Sequence, residues 1–430
     1  VTPALRLGCP ELASERRELL EELIQAAFSA VEPQEAVRRY LTPRVVGTLG
    51  KAILVAVGKA AVPMAQAAAA ALGPALVQGL VIYPSIVSCP IPTHPRLRNI
   101  RSSHPVPDEL SLAAARALTD MVRVSGPLAD TLVLLLSGGA TSLLACPRPG
   151  LNLTQIVRLN QSLLRCGASI DQMNCVRRHV LELAGGGLAL VAAEAGLRGV
   201  GLLLSDVVGD DPAVIGSGPL CGDSTTFADA LRVLRDFDLE PVLPEVACYL
   251  EQGTRGEREE TLGQGSHVLE RFEHTIVGSG RLAAQAAALR GTQLGLDAMV
   301  EPLPLVGDVE AAAERLARIA RDLRSGPVSR PAVRVLFGET TVRVNGPGKG
   351  GRNQELACRT AVHLSGMSQV AAVTLATDGV DGPTDAGGAL VTGETLERGR
   401  LLGLDFFGSL ERNDSHALLD ALGCLLNTGP

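Results

Sequence analysis

Short apolar runs alternate along the chain with longer stretches dominated by Ala and Leu. The runs AILVAV (52–57), GLVIY (79–83), TLVLLL (131–136) and GVGLLL (199–204) lack a polar alternate position. That pattern predicts strands buried on both faces of a sheet. Between them, AAVPMAQAAAAAL and DELSLAAARALTDMV predict helices, the second with Asp108, Glu109 and Ser111 at its start, where negative charge and capping oxygens suit the helix dipole. The rhythm predicts a doubly wound α/β layer. A charge-rich stretch, EQGTRGEREETLGQGSH (251–267), interrupts it and is expected to be a domain boundary or a mobile loop.

A second rhythm follows: the run HTIVGSG, a helix, DAMVEPL, and the long helical stretch DVEAAAERLARIARDLRSG. In AVRVLFGETTVRVNG two β-type runs flank Gly338-Glu339, which predicts a hairpin. The expected division is residues 1–262 and residues 263–430.

At 430 residues the chain is too long for one core. With 2% aromatic residues and no Trp, that core must be built from small aliphatics, which favours packed helices and parallel strands over a sandwich. A formal charge of -7 argues against nucleic acid as the partner. The stretch from Ala60 to Pro95 carries no charge, yet its Ala content and Gly73-Pro74 predict helix, turn and strand rather than a membrane span. Nine scattered cysteines without a C-x-x-C predict reduced thiols and a cytoplasmic protein. No basic head precedes an apolar run, so no signal peptide is expected, and with Val1 rather than Met in first place a missing natural N-terminus is an expectation to test.

The candidate chemistry gathers where predicted strands end, the place where open parallel sheets hold ligands. Gly58-Lys59 follows one strand, Ser137-Gly138-Gly139 with Thr141 a second, Asp206, Asp210 and Asp211 a third, and Asp378, Asp381 and Asp385 a fourth. Gly-rich turns and helix N-termini hold phosphate oxygens. Lys and Arg neutralise a transferring phosphoryl group, and strand-end carboxylates suit Mg²⁺. From Gly346, GPGKGGRN has Walker A spacing, but Arg352 and Asn353 replace the lysine and the hydroxyl. On residues alone it is either a phosphate-binding loop of another design or a flexible glycine-rich connection. Asp210, Asp211, Asp381 and Asp385 serve equally well as helix caps and Asx turns, and His104, before a proline, reads as a loop histidine rather than a catalytic one. Gly278-x-Gly280-x-x-Ala283, with Asp297 or Glu301 downstream, fits a dinucleotide fingerprint and keeps an oxidoreductase open.

Taken together, VAVGKAAVPMA, SSHPVPDE, LLSGGATSLL, MNCVRRHVLELAGGGLA, LLLSDVVGDDPAVIGSGPL, FGETTVRVNGPGKGGRNQELA, TDGVDGPTDAGGAL and ERNDSH resemble, in order, the class II glycerate kinases (glycerate 2-kinases) with a C-terminal MOFRL domain. The resemblance implies two different three-layer α/β domains with mainly parallel sheets, the first Rossmann-like, and an active site in the interdomain cleft. It implies ATP- and Mg²⁺-dependent phosphorylation of D-glycerate at the C2 hydroxyl. Lys59 and Arg352 match the family's basic residues at the reaction centre, Ser137, Gly138, Gly139 and Thr141 its phosphate-side loop, and Asp206, Glu339, Asn353 and Asp378 its polar cleft residues. Asp206 is the first choice for a metal-linked carboxylate, with Asp210 beside it. Three departures stand out: Ala140 replaces a third glycine, Gly280 replaces a common Asn, and family members are expected to continue beyond LLNTGP. A NAD(P)-dependent hydroxypyruvate reductase and a catalytically silent sugar-acid-binding protein are the alternatives. The expected partner is a small molecule, with no nucleic acid and no membrane, and a homodimer is the assembly to test.

Overall fold

The four fully apolar runs become neighbours at the centre of one parallel sheet. The structure, a computed structural model, describes residues 6–85, 94–325 and 331–428. The sheet comprises β1 (Ala52–Val57), β2 (Leu76–Pro84), β3 (Leu97–Ser102), β4 (Thr131–Leu136), β5 (Arg198–Leu204) and β6 (Phe272–Gly278). Its order is β3-β2-β1-β4-β5-β6, with every pair parallel. This is the doubly wound order, and it reverses direction between β1 and β4. Both of those strands are buried along their whole length. The edge strand LRNIRS is only partly buried, which is why polar residues are tolerated there.

Side-chain alternation in the sheet feeds two separate cores. Leu54, Ala56, Val133 and Leu135 pack under the helix Ala61–Leu72. Ile53, Val55, Leu132 and Leu134 face the opposite way, onto the helices Glu109–Ser125 and Gly187–Glu194. As the sequence predicts, Asp108 caps the helix Glu109–Ser125 in a capping box with Ser111. Four further helices, Leu153–Arg165, Ile170–Val180, Phe227–Asp236 and Pro244–Thr254, enclose a third apolar cluster.

The chain forms two compact units, 32–279 and a second unit built from 1–31 with 280–430. The division therefore falls after Ser279, not after Leu262, and the first helix joins the C-terminal residues. The helix Ser14–Val31 packs on the helix Gly280–Gln293, with Leu23, Ala287 and Leu296 buried in one cluster. The polar stretch 251–267 is no boundary, because its charges are tied down. Glu260 accepts from Phe227 N at 3.0 Å and meets His179 Nε2 at 3.0 Å. Arg258 lies over the Tyr249 ring at 4.5 Å.

In the second unit parallel pairing is confined to two short pairs. Ala332–Val335 lies beside Asp297–Val300, and Gly338–Thr341 beside Leu305–Asp308. The predicted hairpin at Gly338 does not form, because each of its arms pairs through the crossover helix Val309–Ser325 with an earlier strand. The larger sheet, Arg6–Leu7, Leu425–Asn427, Gly388–Thr392 and Ala371–Leu375 in spatial order, is antiparallel. No helix among the described residues is long and apolar enough to cross a membrane.

Candidate active site

In the first unit the reversal of strand order brings the ends of β1 and β4 together. Ser137 N donates to Val57 O at 3.0 Å, Lys59 N donates to Gly138 O at 3.0 Å, and the Ser137 hydroxyl accepts from Ala60 N at 3.0 Å. These bonds lock the two strand-end turns to each other. Ser137 is thus a buried fastener whose hydroxyl faces the β1 turn. Gly139, at φ +87°, opens the short helix that follows, and a methyl there would lie 2.6 Å from His104 Cδ2. A side chain at Gly138 would collide with the Asp206 carboxylate. The two glycines therefore admit His104 and Asp206 to direct contact with the loop.

Lys59 and Asp206 are exposed at these strand ends. His104 has its imidazole pushed below the usual range by burial first and by the Lys59 charge second, with Asp206 opposing. One histidine, one lysine and one carboxylate thus sense one another around SGG. His104 lies in a loop, as expected, and packs against Gly139. The usable signal was its place in SSHPVPDE, a motif that returns after β3 to the same sheet edge as the loop.

Thr141 is held by a chain of hydroxyl and amide contacts. Its Oγ1 lies 3.0 Å from Ser217 Oγ, which donates to Asn174 Oδ1 at 3.0 Å, and Asn174 Nδ2 donates to Val214 O at 3.3 Å. Ser217 is fully buried at φ +62°, a conformation that a non-glycine residue keeps only where its surroundings enforce it. Of the aspartates after β5, Asp211 caps the next turn, accepting from Ala213 N at 2.9 Å. Asp210 has φ +55° and is half-buried. The loop they ride on is anchored from below by Arg178, paired with Asp223 at 3.0 Å and donating to Ala213 O at 3.3 Å. Among the described residues, no three-ligand cluster contains Asp206 or Asp210. For a divalent cation such as Mg²⁺, which takes one or two carboxylates with waters and phosphate oxygens, the hard-oxygen donors Asp206 and Asp210, next to a glycine cradle that a Cβ would fill, are a suitable set.

In the second unit the glycine-rich loop is tied to the protein by its own backbone. The helix Arg352–Leu364 starts after Gly351, and the anion at its N-terminus is the protein's own Asp381. One carboxylate oxygen accepts from Asn353 N at 3.1 Å and Asn353 Nδ2 at 3.2 Å, and the other from Gln354 N at 2.8 Å and Gln354 Nε2 at 3.1 Å. Upstream, Gly348 N donates to Arg412 O at 2.8 Å, Lys349 N to Asp414 Oδ1 at 3.0 Å, and Asn345 N and Gly346 N to Asn413 Oδ1 at 2.8 and 3.0 Å. Residues 412–414 thus hold the backbone N–H groups of Asn345, Gly346, Gly348 and Lys349. A Cβ at Gly348 would sit 2.5 Å from Arg412 O, so glycine is required there for close approach.

Asn353, expected as a polar cleft residue, donates both its backbone N–H and its side-chain amide to Asp381. What the loop presents is Arg352, exposed at the first helical position and ion-paired with Glu339. Asp378 is exposed in the turn after Ala371–Leu375, near Val380 N at 3.5 Å. Lys349 is also exposed. Asp385 meets His416 Nε2 at 3.3 Å, and His416 in turn lies 3.0 Å from Gln354 Oε1.

The dinucleotide fingerprint does not survive. Its strand, β6, belongs to the first unit and its helix, Gly280–Gln293, to the second. The next strand, Asp297–Val300, pairs outside the six-stranded sheet, and Asp297 is bound by Arg334 at 2.9 Å.

Two family models match the chain: a domain of unknown function, DUF4147, over residues 19–251, and the MOFRL family over residues 332–430. A putative hydroxypyruvate reductase of Agrobacterium vitis is 37% identical over 419 residues, covering 96% of this chain and 91% of its own. The D-glycerate 2-kinase of Thermotoga maritima is 36% identical over 417 residues, with 96% and 95% covered. The glycerate 2-kinase of Pyrococcus horikoshii is 34% identical over 433 residues, with 97% and 95% covered. The crystal structure of the Thermotoga maritima glycerate kinase matches with a TM-score of 0.86 at 35% identity, over 97% of each chain.

Proposed function

Since the chain belongs to the glycerate 2-kinase family, we propose that it transfers the γ-phosphoryl group of ATP to the C2 hydroxyl of D-glycerate, giving 2-phosphoglycerate and ADP. The observation that carries this reading is the convergence of Lys59, His104 and Asp206 on the SGG turn where the strand order reverses. Phosphoryl transfer needs positioning and charge stabilisation more than covalent chemistry from the protein, and this group offers both.

Lys59 is assigned to neutralising charge on the phosphate oxygens, with Gly138 and Gly139 letting the nucleotide approach the backbone. Thr141, oriented through Ser217 and Asn174, is assigned to the same phosphate side. Asp206 and Asp210 would hold Mg²⁺, which when bound screens the charge between phosphate oxygens. His104, kept neutral by burial and by Lys59, is placed to accept the proton of the glycerate hydroxyl. Arg352 supplies a second cation for the transferring phosphoryl group or the glycerate carboxylate, exchanging its bond to Glu339 for the substrate. The family-matched Asp378 stays in this reading as an exposed polar contact.

The test is a phosphorus NMR time course with ATP, Mg²⁺ and D-glycerate. ADP with 2-phosphoglycerate is the expected product pair. Intact ATP from folded protein, together with NADH oxidation by hydroxypyruvate, would replace this reading with the reductase named for the Agrobacterium vitis relative. The broken dinucleotide fingerprint weighs against that second outcome.

A further inference from the structure

Cys9 and Cys424 lie at opposite ends of the sequence and side by side in the second unit. Arg6 pairs with Asn427 and Leu7 with Leu426 in an antiparallel ladder. One more bond keeps the register, Gly8 N donating to Leu425 O at 3.3 Å, and the chain then leaves it, Cys9 N donating to Gly423 O at 2.6 Å with Cys9 at φ +107°. That bond holds Cys9 against the residue preceding Cys424. The sulfurs lie within 4.8 Å of each other, and both residues are buried, at 1% and 0% exposure.

We propose that Cys9 and Cys424 are a site of reversible disulfide formation that fastens the N-terminal strand to the C-terminal strand. The oxidant is a low-molecular-weight disulfide. The Cys9 thiolate attacks one of its sulfurs, forming a mixed disulfide and releasing one thiol. The Cys424 thiolate then attacks Cys9 Sγ and displaces the second thiol. The two protein protons pass through solvent to the two departing thiolates, so the small disulfide is reduced to two thiols as the protein pair is oxidised.

Glu11 does not turn the pair into a cation site. Its Oε1 accepts from Thr395 at 3.1 Å and its Oε2 from Arg398 at 2.6 Å, so the carboxylate is already committed to a guanidinium. The Cys9 thiol donates to Oε2 at 3.3 Å, and its contact with Cys424 and its burial hold it protonated. Reaction therefore requires the outer strand to lift. That strand is two residues long and lies at the sheet edge, where local opening is much easier than global unfolding.

The experiment uses the full chain incubated with glutathione disulfide or with dithiothreitol, then alkylated under denaturing conditions and peptide-mapped. After oxidation, the Cys9 and Cys424 peptides should appear joined, with two hydrogens lost, while exposed Cys248 carries glutathione or alkyl label. Thermal unfolding followed by circular dichroism should rise by about 5 °C or more in the oxidised sample, and Cys424→Ser should abolish that rise. Full alkylation of both cysteines after oxidation, a stable glutathione adduct at Cys9, or a link to another cysteine would each overturn the proposal.

Discussion

Removing the Asp381 carboxylate should loosen the start of the helix Arg352–Leu364 and take Arg352 with it. Asp381 is buried and accepts four hydrogen bonds from Asn353 and Gln354. In Asp381→Ala, Gln354 Nε2 keeps Thr384 Oγ1 at 2.9 Å, and the half-buried Asn353 amide can turn to water. The unrecovered loss is confined to two backbone N–H groups, Gln354 N being inside the protein. A lost helix cap costs about 1 kcal/mol, and one orphaned buried donor about 1–3 kcal/mol. Together they predict a destabilisation of about 3 kcal/mol, confined to the unit 1–31 with 280–430. Asp381→Asn should fall between, because one amide oxygen replaces two carboxylate oxygens and the amide N–H₂ opposes a donor. Urea unfolding followed by circular dichroism reads both values. Glycerate phosphorylation should fall in parallel as Arg352 loses its mounting. An alanine variant within about 0.5 kcal/mol of the parent would refute the capping argument.

Three further outcomes follow from the site. Lys59→Ala and Arg352→Ala should each lower kcat about 10²–10³-fold with an unchanged melting temperature, since both side chains are exposed; unaltered kinetics would remove that residue from the mechanism. His104 should titrate below 6.5 in the folded protein. The unfolded chain then binds more protons between the folded value and 6.5, so stability falls as pH drops through that window. Activity should fall in the same direction as the base protonates, and Lys59→Met should move the value back towards 6.5; an imidazole NMR titration at or above 6.5 in the parent protein would contradict this. Gly139→Ala should cost about 1–3 kcal/mol through its positive φ and displace His104, seen as loss of the depressed titration. A variant with parental stability and His104 titration would show that the loop tolerates a methyl there.

The sheet was legible where burial on both faces removes polar positions. AILVAV and TLVLLL map directly onto β1 and β4, because a central parallel strand admits nothing else. Edge strand β3 was not legible, since half-exposed LRNIRS carries no such pattern. The hairpin expected at Gly338 failed for a related reason: local β propensity is satisfied by any partner, and here the partners lie across a crossover helix. Charge density misplaced the domain boundary, because Glu260 and Arg258 are polar residues with fixed partners rather than solvated linker. At the site, glycine and aspartate positions were readable as strand-end chemistry. The division of labour was not. A cap was among the readings of Asp381, but which helix it caps, Ser137 as a fastener and His104 beside Gly139 depend on contacts between segments far apart in sequence.

The joining of residues 1–31 to residues 280–430 also sets an order of assembly. During synthesis the unit 32–279 is continuous and can complete its sheet as soon as β6 has emerged. The helix Ser14–Val31, made earlier, has no Gly280–Gln293 to cover Leu23 until the chain is made past residue 293, and Ile24 waits for Leu418, Leu419 and Leu426. A segment made early is thus among the last to be buried. Its apolar face is the one that a chaperone would have to shield in the interval.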